Sequence, residues 1–425
     1  MGGYVRDALR GIKSYDVDIA CSAPWQVTKA LMEQSGFSCH ETGVKFGTLT
    51  VIANNESFEI TTFRTEGAYR DNRHPDQVMQ ASSIEEDLAR RDFTINAMAF
   101  HPGRGLLDPY AGLDDLQRRV IRTVGNPHQR FNEDALRIMR ALRFASKLDF
   151  SIEPNTLQQI HQNKENLRNV AVERLGKELD QMLCGPAVTR VLDEAKDVFA
   201  ILIPELEPLF GLDQKNPYHC FDAYDHTIHA VGYVKPAPLS RWTALLHDIA
   251  KPETLTVDDK GVGHFKGHPE RGAEIALTIL KRLKYPKRFA HDVCILVQLH
   301  DTQIPATTAG VCHMLHQLGG REDLFDALYD MKLADERSKS SRAIRGIEVK
   351  KLPNIFAQVK DEQLPYSVNQ LAINGKDLID AGMEPGPQIK ECLEALLQDA
   401  MDGNVSNTKE ALLRHSRHKE IPKFT

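Results

Sequence analysis

The chain has 425 residues, of which 41% are hydrophobic and 26% are charged. At roughly 150 residues per domain this length suits two to four domains, and the composition excludes a disordered or a collagen-like protein. The 53 lysines and arginines against 59 aspartates and glutamates give a formal charge of −6. This balance argues against a protein that coats nucleic acid non-specifically, but it leaves room for a local basic groove.

The cysteines and the apolar runs indicate the cellular compartment in which the protein is expected. The seven cysteines are scattered, odd in number and without a CxxC pair. This pattern disfavours a disulfide framework or a zinc ribbon and favours a reducing compartment. No apolar run approaches the 18 or so residues that span a bilayer, and the N-terminal MGGYVRDALRG lacks the apolar region of a signal peptide. We expect a cytoplasmic protein without a membrane partner.

The first 120 residues mix short β-rich runs with turns and predict a small α/β unit. Residues 48–53 (TLTVIA) and 58–63 (FEITTF) have the composition of strands, and residues 16–19 form a shorter strand candidate. Residues 25–35 are predicted to be helical.

Two carboxylates in this unit are candidate metal ligands. On a strand, Asp16 and Asp18 project from one face, and two carboxylates on one side suit Mg²⁺. Upstream, Gly2 and Gly3 precede a short predicted helix, whose N-terminal N–H groups can approach a triphosphate. Glu59 on a neighbouring predicted strand is a candidate third carboxylate. Two-metal phosphoryl or nucleotidyl transfer requires the combination of a glycine turn, a helix and the Asp-x-Asp pair on a strand, although an Asp-x-Asp pair alone is more often a solvated turn.

Arginine is concentrated in the next stretch. Between Arg64 and Ser146 there are 13 arginines and no lysine. Guanidinium groups bind phosphate bidentately and stack on bases, although about half of such arginines are expected to serve only surface solvation. The segment RTEGAYRDNRHPDQV, residues 64–78, is polar, contains glycine and proline, and is predicted to be a mobile loop.

From about Asn126 the pattern changes to long amphipathic helices, clearest in EDALRIMRALRFASKL and ERLGKELDQML. Glu133, Asp134 and Arg137 fall on the first of these predicted helices, where Asp134 and Arg137 can project together. Such a pair can read a base, because its carboxylate accepts from the amino group of cytosine or adenine while its guanidinium donates to the ring nitrogen. Guanine and uracil present the reverse polarity. The alternative is a salt bridge within the helix, worth about 0.5 kcal/mol.

A helical region rich in histidine follows. Its candidate metal ligands occur in the order His226, His247, Asp248, His268, His300 and Asp335. Imidazole with carboxylate suits a divalent transition metal, whereas a lone histidine is more often structural.

Five ordered motifs carry a family resemblance. They are GGYVRDALRGIKSYDVD from residue 2, RRDFTINAMA from residue 90, DPYAGLDDL from residue 108, EDALR from residue 133 and ERLGKEL from residue 173. They resemble the class II tRNA nucleotidyltransferases and bacterial poly(A) polymerases of the polymerase-β superfamily. The contexts YDHTIHA, ALLHDIAKP, GHFKGHPERGAE, VQLHD and MKLADERS resemble HD-superfamily phosphohydrolases, and the segment from Leu371 resembles the family's C-terminal tail.

The resemblance implies an α+β fold. A polymerase-β-like head with a small mixed sheet is expected over residues 1–122, followed by an all-helical neck (123–195), HD body (196–340) and tail (341–425). The family normally has a helix and a strand before the Gly-Gly turn, whereas this chain starts at Met1, so the sheet is expected to lack one strand and the turn to fray. In the tail, Gly386 and Pro387 precede a helix whose N-terminus could take an RNA phosphate, with a plain turn as the equal alternative.

The resemblance also implies roles for individual residues. Catalysis and Mg²⁺ binding fall to Asp16 and Asp18. The implied nucleotide-binding residues are Gly2, Gly3, Arg6, Arg91, Asp92, Asn96, Asp134, Arg137 and Arg140. Base selection falls to Glu133, Asp134 and Arg137, and a flexible loop contains Arg64, Tyr69, Asp71 and Arg73. The HD site implies a divalent transition metal held by His226, His247, Asp248, His268, His300 and Asp335.

The implied function is addition or repair of the 3′-terminal CCA of tRNA from CTP and ATP, with release of pyrophosphate. DNA is not an expected partner. An A-adding tRNA nucleotidyltransferase and a poly(A) polymerase are the near alternatives. The loop at residues 64–78 favours CCA or A addition, because CC-adding members typically lack it. The alternative from another class is an HD phosphohydrolase that acts on RNA ends or nucleotides.

Overall fold

The computed structural model describes residues 1–13, 17–44, 47–66, 78–216, 220–339 and 346–418. The chain divides into two compact units. The first unit comprises Met1–Glu207 with Arg282–Tyr285, and the second comprises Pro208–Lys281 with Pro286–Thr425. Within the described ranges, no helix combines the length and the apolar character needed to span a membrane.

The first unit begins with a four-stranded mixed sheet. Its strands are β1 (Asp18–Cys21), β2 (Ser38–Gly43), β3 (Thr48–Ala53) and β4 (Glu56–Thr62), in the order β1-β4-β3-β2. The β1–β4 pair is parallel and the other two pairs are antiparallel. Asn54 and Asn55, both with positive φ, form the two-residue turn between β3 and β4, as a type I′ hairpin requires. Helix α2 (Trp25–Gln34) packs on this sheet.

Short elements surround the sheet and hold the candidate site. They are α1 (Gly3–Leu9), β5 (Arg64–Glu66), β6 (Val78–Gln80), α3 (Ile84–Ala89), β7 (Ala99–His101), β8 (Gly105–Leu107), α4 (Gly112–Arg118) and β9 (Val120–Ile121). A 3₁₀ turn over Thr94–Asn96 packs against α4, where a Cβ on Gly112 would lie 2.2 Å from the Thr94 carbonyl oxygen. Glycine at this position therefore lets the helix approach the turn that carries Asn96.

Helices make up most of the rest of the first unit. They are α5 (Pro127–Glu133), α6 (Leu136–Leu148), α7 (Pro154–Asn163), α8 (Val172–Leu183), α9 (Val188–Glu194) and α10 (Lys196–Leu202). Strand β10 (Ser151–Ile152) pairs with β9 and adds a short parallel ladder to the expected helical neck. Helix α6 buries Ile138, Met139 and Leu142 and packs on α8.

The predicted helix over EDALRIMRALRFASKL is interrupted near its start. Helix α5 ends at Glu133, Asp134 is extended with φ −140° and ψ 104°, and α6 begins at Leu136. The Asp134 Oδ1 atom accepts a hydrogen bond from the Leu136 backbone N–H at 3.0 Å, so its carboxylate satisfies a donor at the new helix start. The expectation that Glu133, Asp134 and Arg137 share one helix is therefore wrong.

The second unit is mainly helical. Its helices are α11 (Ala223–Tyr233), α12 (Pro238–Leu246), α13 (Lys251–Thr254), α14 (His268–Arg282), α15 (Lys287–Leu299), α16 (Thr308–Gln317), α17 (Glu322–Arg337), α18 (Gly346–Val349), α19 (Leu352–Asp361), α20 (Gly375–Asp380), α21 (Gln388–Met401) and α22 (Lys409–His418). A short hairpin joins β11 (Thr256–Val257) to β12 (Gly263–His264). Helices α11, α12, α15 and α17 pack on one another, while α16, α19 and α21 share a second apolar core. The expected α+β fold is confirmed, with these short strand pairs added.

Candidate nucleotide site and metal centre

A chain of polar side chains runs through the first unit. Arg6 Nη1 donates to Asn96 Oδ1 at 2.7 Å, and Asn96 Nδ2 donates to Asp92 Oδ1 at 3.3 Å. The other carboxylate oxygen of Asp92, Oδ2, accepts a hydrogen bond from Arg140 Nε at 2.7 Å and forms an ion pair with Arg140 Nη2 at 2.5 Å. Arg6, Asn96 and Asp92 are buried. Four of the nucleotide-site residues predicted from the sequence therefore form one connected network.

Charge pairing within this network offsets the cost of burial. Burial acts to raise the pKa of Asp92, but the charge and hydrogen bonds of Arg140, with those from Asn96 and the Phe93 N–H, outweigh it and lower that pKa. The charge of Asp92 in turn raises the pKa of Arg140. Asp92 is therefore held ionised and fixed in orientation, and it holds the Arg140 guanidinium in place.

Gly2 allows an arginine to approach the start of α1. It precedes α1 with φ 64°, and a Cβ there would lie 2.4 Å from Arg91 Nη1. Its own N–H donates to the Met98 carbonyl at 2.9 Å, so that donor is already used within the protein. Arg91 Nη1 also donates to the Asn96 carbonyl at 3.2 Å. Gly2 thus lets Arg91 lie against the start of α1, and Gly3 begins that helix.

The candidate catalytic carboxylates are described in part. Asp18 is the first residue of β1 and lies in register with Glu59 of β4, so the two side chains project from the same face of the sheet. Asp18 is also close enough to Arg91 for its charge to act on that guanidinium, whose pKa is lowered mainly by burial. Asp16 lies outside the described residues.

The base-selection residues have other partners than the sequence suggested. Arg137 Nη1 contacts Glu133 Oε2 at 2.6 Å, and its Nη2 donates to the Arg90 carbonyl at 3.2 Å. Asp134 Oδ2 instead accepts from Arg174 Nη2 at 3.2 Å. Arg137 is buried, and two of its guanidinium nitrogens have partners. Asp134 is bound by an arginine of another helix, α8.

A cluster of arginines around Phe144 was not predicted from the sequence. The guanidiniums of Arg6, Arg140 and Arg143 lie 5.3, 5.5 and 4.2 Å from the centre of its ring. Arg143 Nε also contacts Glu178 Oε2 at 3.0 Å. Arg174 and Glu178 both belong to the motif ERLGKEL, so the motif's charged residues were the available signal.

The predicted flexible loop is described only at its start. The Arg64 backbone N–H, at the start of β5, donates to Asp87 Oδ1 at 3.2 Å. Tyr69, Asp71 and Arg73 lie outside the described residues.

In the second unit, all six predicted HD residues come together. His226 lies on α11, Asp335 lies on α17, and the remaining four lie at or just beyond helix ends; these are His247, Asp248, His268 and His300. Ligand atoms of His226, His247 and Asp248 lie within 4.8 Å of one another, and so do those of Asp248, His268 and His300. Asp248 is common to both groups.

The two oxygens of Asp248 face different histidines. Its Oδ2 lies 3.4 Å from His226 Nε2 and 3.1 Å from His247 Nε2. Its Oδ1 lies 3.5 Å from His268 Nε2 and 3.8 Å from His300 Nε2. Asp335 Oδ1 contacts His226 Nε2 at 3.1 Å and completes the first group. One carboxylate thus lies between two sets of nitrogen ligands.

The orientation of the four rings shows what these sets can bind. The Nδ1 atoms of His226, His247, His268 and His300 lie 3.2, 2.7, 2.7 and 2.6 Å from backbone carbonyl oxygens. A carbonyl only accepts, so each Nδ1 carries the proton and a neutral ring presents the lone pair of Nε2. These Nε2 atoms face carboxylate oxygens and one another, at 3.4 Å (His226 to His247) and 3.2 Å (His268 to His300). Facing acceptors repel unless a cation lies between them, and imidazoles fixed by their second nitrogen are typical metal ligands.

Protonation alone satisfies this arrangement poorly. Burial lowers the pKa of His226 and lowers that of His300 well below its ordinary value, so both rings are neutral at pH 7. Burial also acts to lower the pKa of His247, but the Asp248 charge outweighs it and raises that pKa. Among the described residues, no hydrogen bond of ordinary geometry reaches Asp248 Oδ2, although Lys251 Nζ lies 2.6 Å away. The donor set therefore fits divalent cations.

Two lysines beside this centre were not predicted. Lys251 pairs with Asp248, and Lys339 pairs with Asp335 Oδ2. Each lysine follows its aspartate at helical spacing, three and four residues later, which was the signal available in the sequence.

Comparison with known families agrees with this layout. Residues 1–122 match the model "Poly A polymerase head domain", and residues 149–210 match "Probable RNA and SrmB- binding site of polymerase A". Residues 272–415 match the model described as tRNA nucleotidyltransferase domain 2. The fold and the first site therefore define a nucleotidyltransferase with a head of the poly(A) polymerase type.

Individual relatives narrow this class. A CCA-adding enzyme of Streptococcus gordonii is 32% identical over 99% of this chain and 93% of its own length. An A-adding tRNA nucleotidyltransferase of Deinococcus radiodurans is 33% identical, over 97% of this chain and 93% of its own length. The crystal structure of Bacillus stearothermophilus CCA-adding enzyme in complex with CTP aligns with a TM-score of 0.69 at 31% identity, covering 98% of this chain and 91% of that one. The chain belongs to the tRNA nucleotidyltransferase family of the CCA-adding enzymes. Enzymes of this kind use divalent metal ions.

Proposed function

We propose that the protein adds or repairs the 3′-terminal CCA of tRNA, using CTP and ATP and releasing pyrophosphate. The observation that carries this proposal is the connected network Arg6–Asn96–Asp92–Arg140 in a chain aligned over nearly its whole length with CCA-adding enzymes. Such a network is prepared for a charged ligand, because its arginines are already oriented before the nucleotide arrives.

In this mechanism the tRNA 3′ hydroxyl attacks the α-phosphate of the nucleotide. Asp16 and Asp18 would hold Mg²⁺, and the in-register carboxylate of Glu59 on the same sheet face fits an oxygen-ligated ion. Mg²⁺ held there would lower the pKa of the hydroxyl and would offset charge on the leaving pyrophosphate. Arg91 and Arg140 bind the triphosphate, and Asp92 orients Arg140. Gly2 lets Arg91 reach the start of α1.

Asp134 and Arg137 would read the base. The Arg137 guanidinium donates to the ring nitrogen of cytosine or adenine, and Glu133 together with the Arg90 carbonyl fixes its plane. The Asp134 carboxylate accepts from the amino group and is held by Arg174. The selecting pair would thus be assembled across the break between α5 and α6, with each member fixed by a partner of its own.

One experiment decides among the members of this class. The protein is incubated with tRNA lacking CCA and with tRNA ending in CC, with each of the four nucleoside triphosphates separately, and the 3′ ends are sequenced. Addition of two cytidines to tRNA lacking CCA, and of one adenosine to tRNA ending in CC, supports the proposal. Addition of adenosine to tRNA ending in CC without any addition of CTP to tRNA lacking CCA would identify an A-adding enzyme, which the Deinococcus radiodurans relative makes the near alternative. Runs of adenosine would identify a poly(A) polymerase.

The functions proposed for the parts of the chain follow the domain boundaries expected from the sequence. We propose a catalytic head (1–122), a neck for nucleotide and RNA recognition (123–195), an HD body (196–340) and a tRNA-binding tail (341–425). Family matches at 1–122, 149–210 and 272–415 support the order of these parts. We also place the protein in the cytoplasm, because its seven cysteines are all free thiols, as in a reducing compartment.

The histidine centre supports a second candidate function. We propose that it holds two divalent transition metal ions that share Asp248, with His226, His247 and Asp335 on one and His268 and His300 on the other. The observation that favours it is the set of four Nε2 atoms aimed at carboxylates and at one another. Such ions supply a nucleophilic water, which suits hydrolysis of phosphoesters at RNA ends or in nucleotides. Metal analysis and phosphodiesterase assays test this; a metal-free protein that is inactive with every divalent ion would refute it.

A further inference from the structure

A cavity of about 350 Å³ opens onto the histidine centre in the second unit. Its lining includes the ligands Asp248, His268, His300 and Asp335, and also Asn216, Lys251, Gly263, His264, Phe265, Lys266, Asp301 and Lys339. The cavity therefore gives a ligand direct access to the metal positions, and residues that are not metal ligands form much of its wall.

The charges on that wall constrain what the cavity accepts. Three lysines and three aspartates line it, so their formal charges cancel. Each divalent ion held by the histidines then adds two positive charges that no residue of the lining offsets. A ligand carrying two or more negative charges on compact oxygens, such as a phosphoryl dianion, satisfies this excess.

The two lysines that contact the ligand aspartates are not equivalent. Lys251 is 4% exposed and is committed on both sides, to Asp248 and to Gln214 Oε1 at 2.6 Å. The side chain of Lys339 is 23% exposed, and its ammonium pairs with Asp335 Oδ2. The opposite oxygen of Asp335 faces His226. Lys339 therefore stands between a metal ligand and the open cavity.

We propose that Lys339 binds the phosphoryl group of a ligand seated on the metal ions, and so sets the preference of the cavity for phosphate dianions. This rests on the proposed metal-binding function of the centre. An ion held by Asp335 would draw on the charge of this carboxylate and would weaken its hold on Lys339. The three N–H donors of the ammonium can then reach ligand oxygens while the lysine stays in contact with Asp335.

The test uses the full chain loaded with Mn²⁺ and compares wild type, Lys339→Met, Lys339→Arg and Lys390→Met. Lys390 is exposed on α21 and is not part of the cavity lining, which makes it a matched control for the loss of one lysine. Bound metal is counted by elemental analysis, and titration calorimetry gives the Kd for inorganic phosphate, AMP and adenosine.

We expect Lys339→Met to raise the Kd for phosphate and for AMP by at least about 10-fold, which is the effect of losing one charge-assisted contact. Lys339→Arg recovers most of that loss, Lys390→Met matches wild type, and metal content stays the same in all four proteins. Tighter binding of AMP than of phosphate identifies a monoester as the ligand, and equal binding identifies free phosphate. Adenosine binds weakly throughout.

Two results overturn the proposal. One is an unchanged phosphate Kd in metal-loaded Lys339→Met. The other is loss of metal in proportion to loss of phosphate, because that assigns Lys339 to holding Asp335 alone. A wild-type chain that takes up no metal is a different result: it refutes the proposed function of the centre, and this proposal with it.

Discussion

The nucleotide site of the first unit and the histidine centre of the second both bury charged side chains, but they arrange them differently. In the first, Asp92 lies between Asn96 and Arg140, so each acceptor meets a donor of the same protein. In the second, the Nε2 atoms of His226 and His247 lie 3.4 Å apart and share Asp248 as a neighbour. In the first set, the hydrogen-bonding groups of these side chains satisfy one another in the folded protein. In the second set, several hydrogen-bond acceptors face one another.

This difference separates a site that recognises its ligand from one that needs a cation to be complete. Removing one member of the first set should leave a charged side chain without its partner, and this should lower both stability and activity. Removing one member of the second should lower metal affinity, and the folded chain should survive.

Asp18→Asn should have the largest effect, a fall in nucleotide addition on the order of 10³-fold, because the amide no longer carries the charge that holds Mg²⁺. Incorporation of labelled ATP into tRNA ending in CC measures it. Asp114→Asn is the matched control, since Asp114 is half exposed on α4 and pairs only with Arg118 among the described ion pairs. Activity of Asp18→Asn within threefold of wild type would remove Asp18 from catalysis.

Asp92→Asn should lower the free energy of unfolding at pH 7 by about 2 kcal/mol, since it removes the buried carboxylate that pairs with the partly exposed Arg140 guanidinium. The folded pKa of Asp92 lies below its ordinary value, so this contribution is complete above pH ~4 and is lost as the pH falls through the folded pKa. Urea unfolding of both proteins at several pH values should show a difference that shrinks only in acid. A difference that does not change with pH would contradict the account.

Arg137→Lys should lower kcat/KM for both CTP and ATP by about 30-fold, because the lysine keeps the charge but loses the planar fork that Glu133 and the Arg90 carbonyl hold. Discrimination against GTP and UTP should fall as well. Single-nucleotide addition kinetics measure both effects. Arg168→Lys, at an exposed arginine paired with Glu165, should match wild type. A fall in kcat/KM with unchanged discrimination against GTP and UTP would show that Arg137 has a structural role and does not read the base.

Much of the fold could be predicted from local pattern. The strands at residues 48–53 and 58–63 and the helix at 25–35 follow from β-rich runs and apolar periodicity, and all three are present, apart from shifts at their ends. The break at Asp134 could not be predicted in this way. Apolar spacing continues across it, whereas in the structure Asp134 is extended and its side chain accepts from the Leu136 N–H.

The candidate sites show the same limit. Motifs and residue chemistry pointed to Asp92, Arg140 and the six HD residues, but some of the partners that fix these side chains are distant in sequence. Asp92 and Arg140 are 48 residues apart, and Asp134 and Arg174 are 40 apart. Sequence spacing reports only neighbours along a helix or strand, so it suggested an Asp134–Arg137 pair where the fold instead provides Arg174 and Glu133.

The most direct test of two separate centres is a paired measurement on His247→Asn. Metal content and CCA addition are determined on the same preparation, beside wild type and beside His291→Asn, whose ring is exposed on α15. We expect His247→Asn to lose metal from the second unit, while addition of CCA to tRNA stays within twofold of wild type. Retention of all the metal, or loss of CCA addition together with the metal, would contradict it.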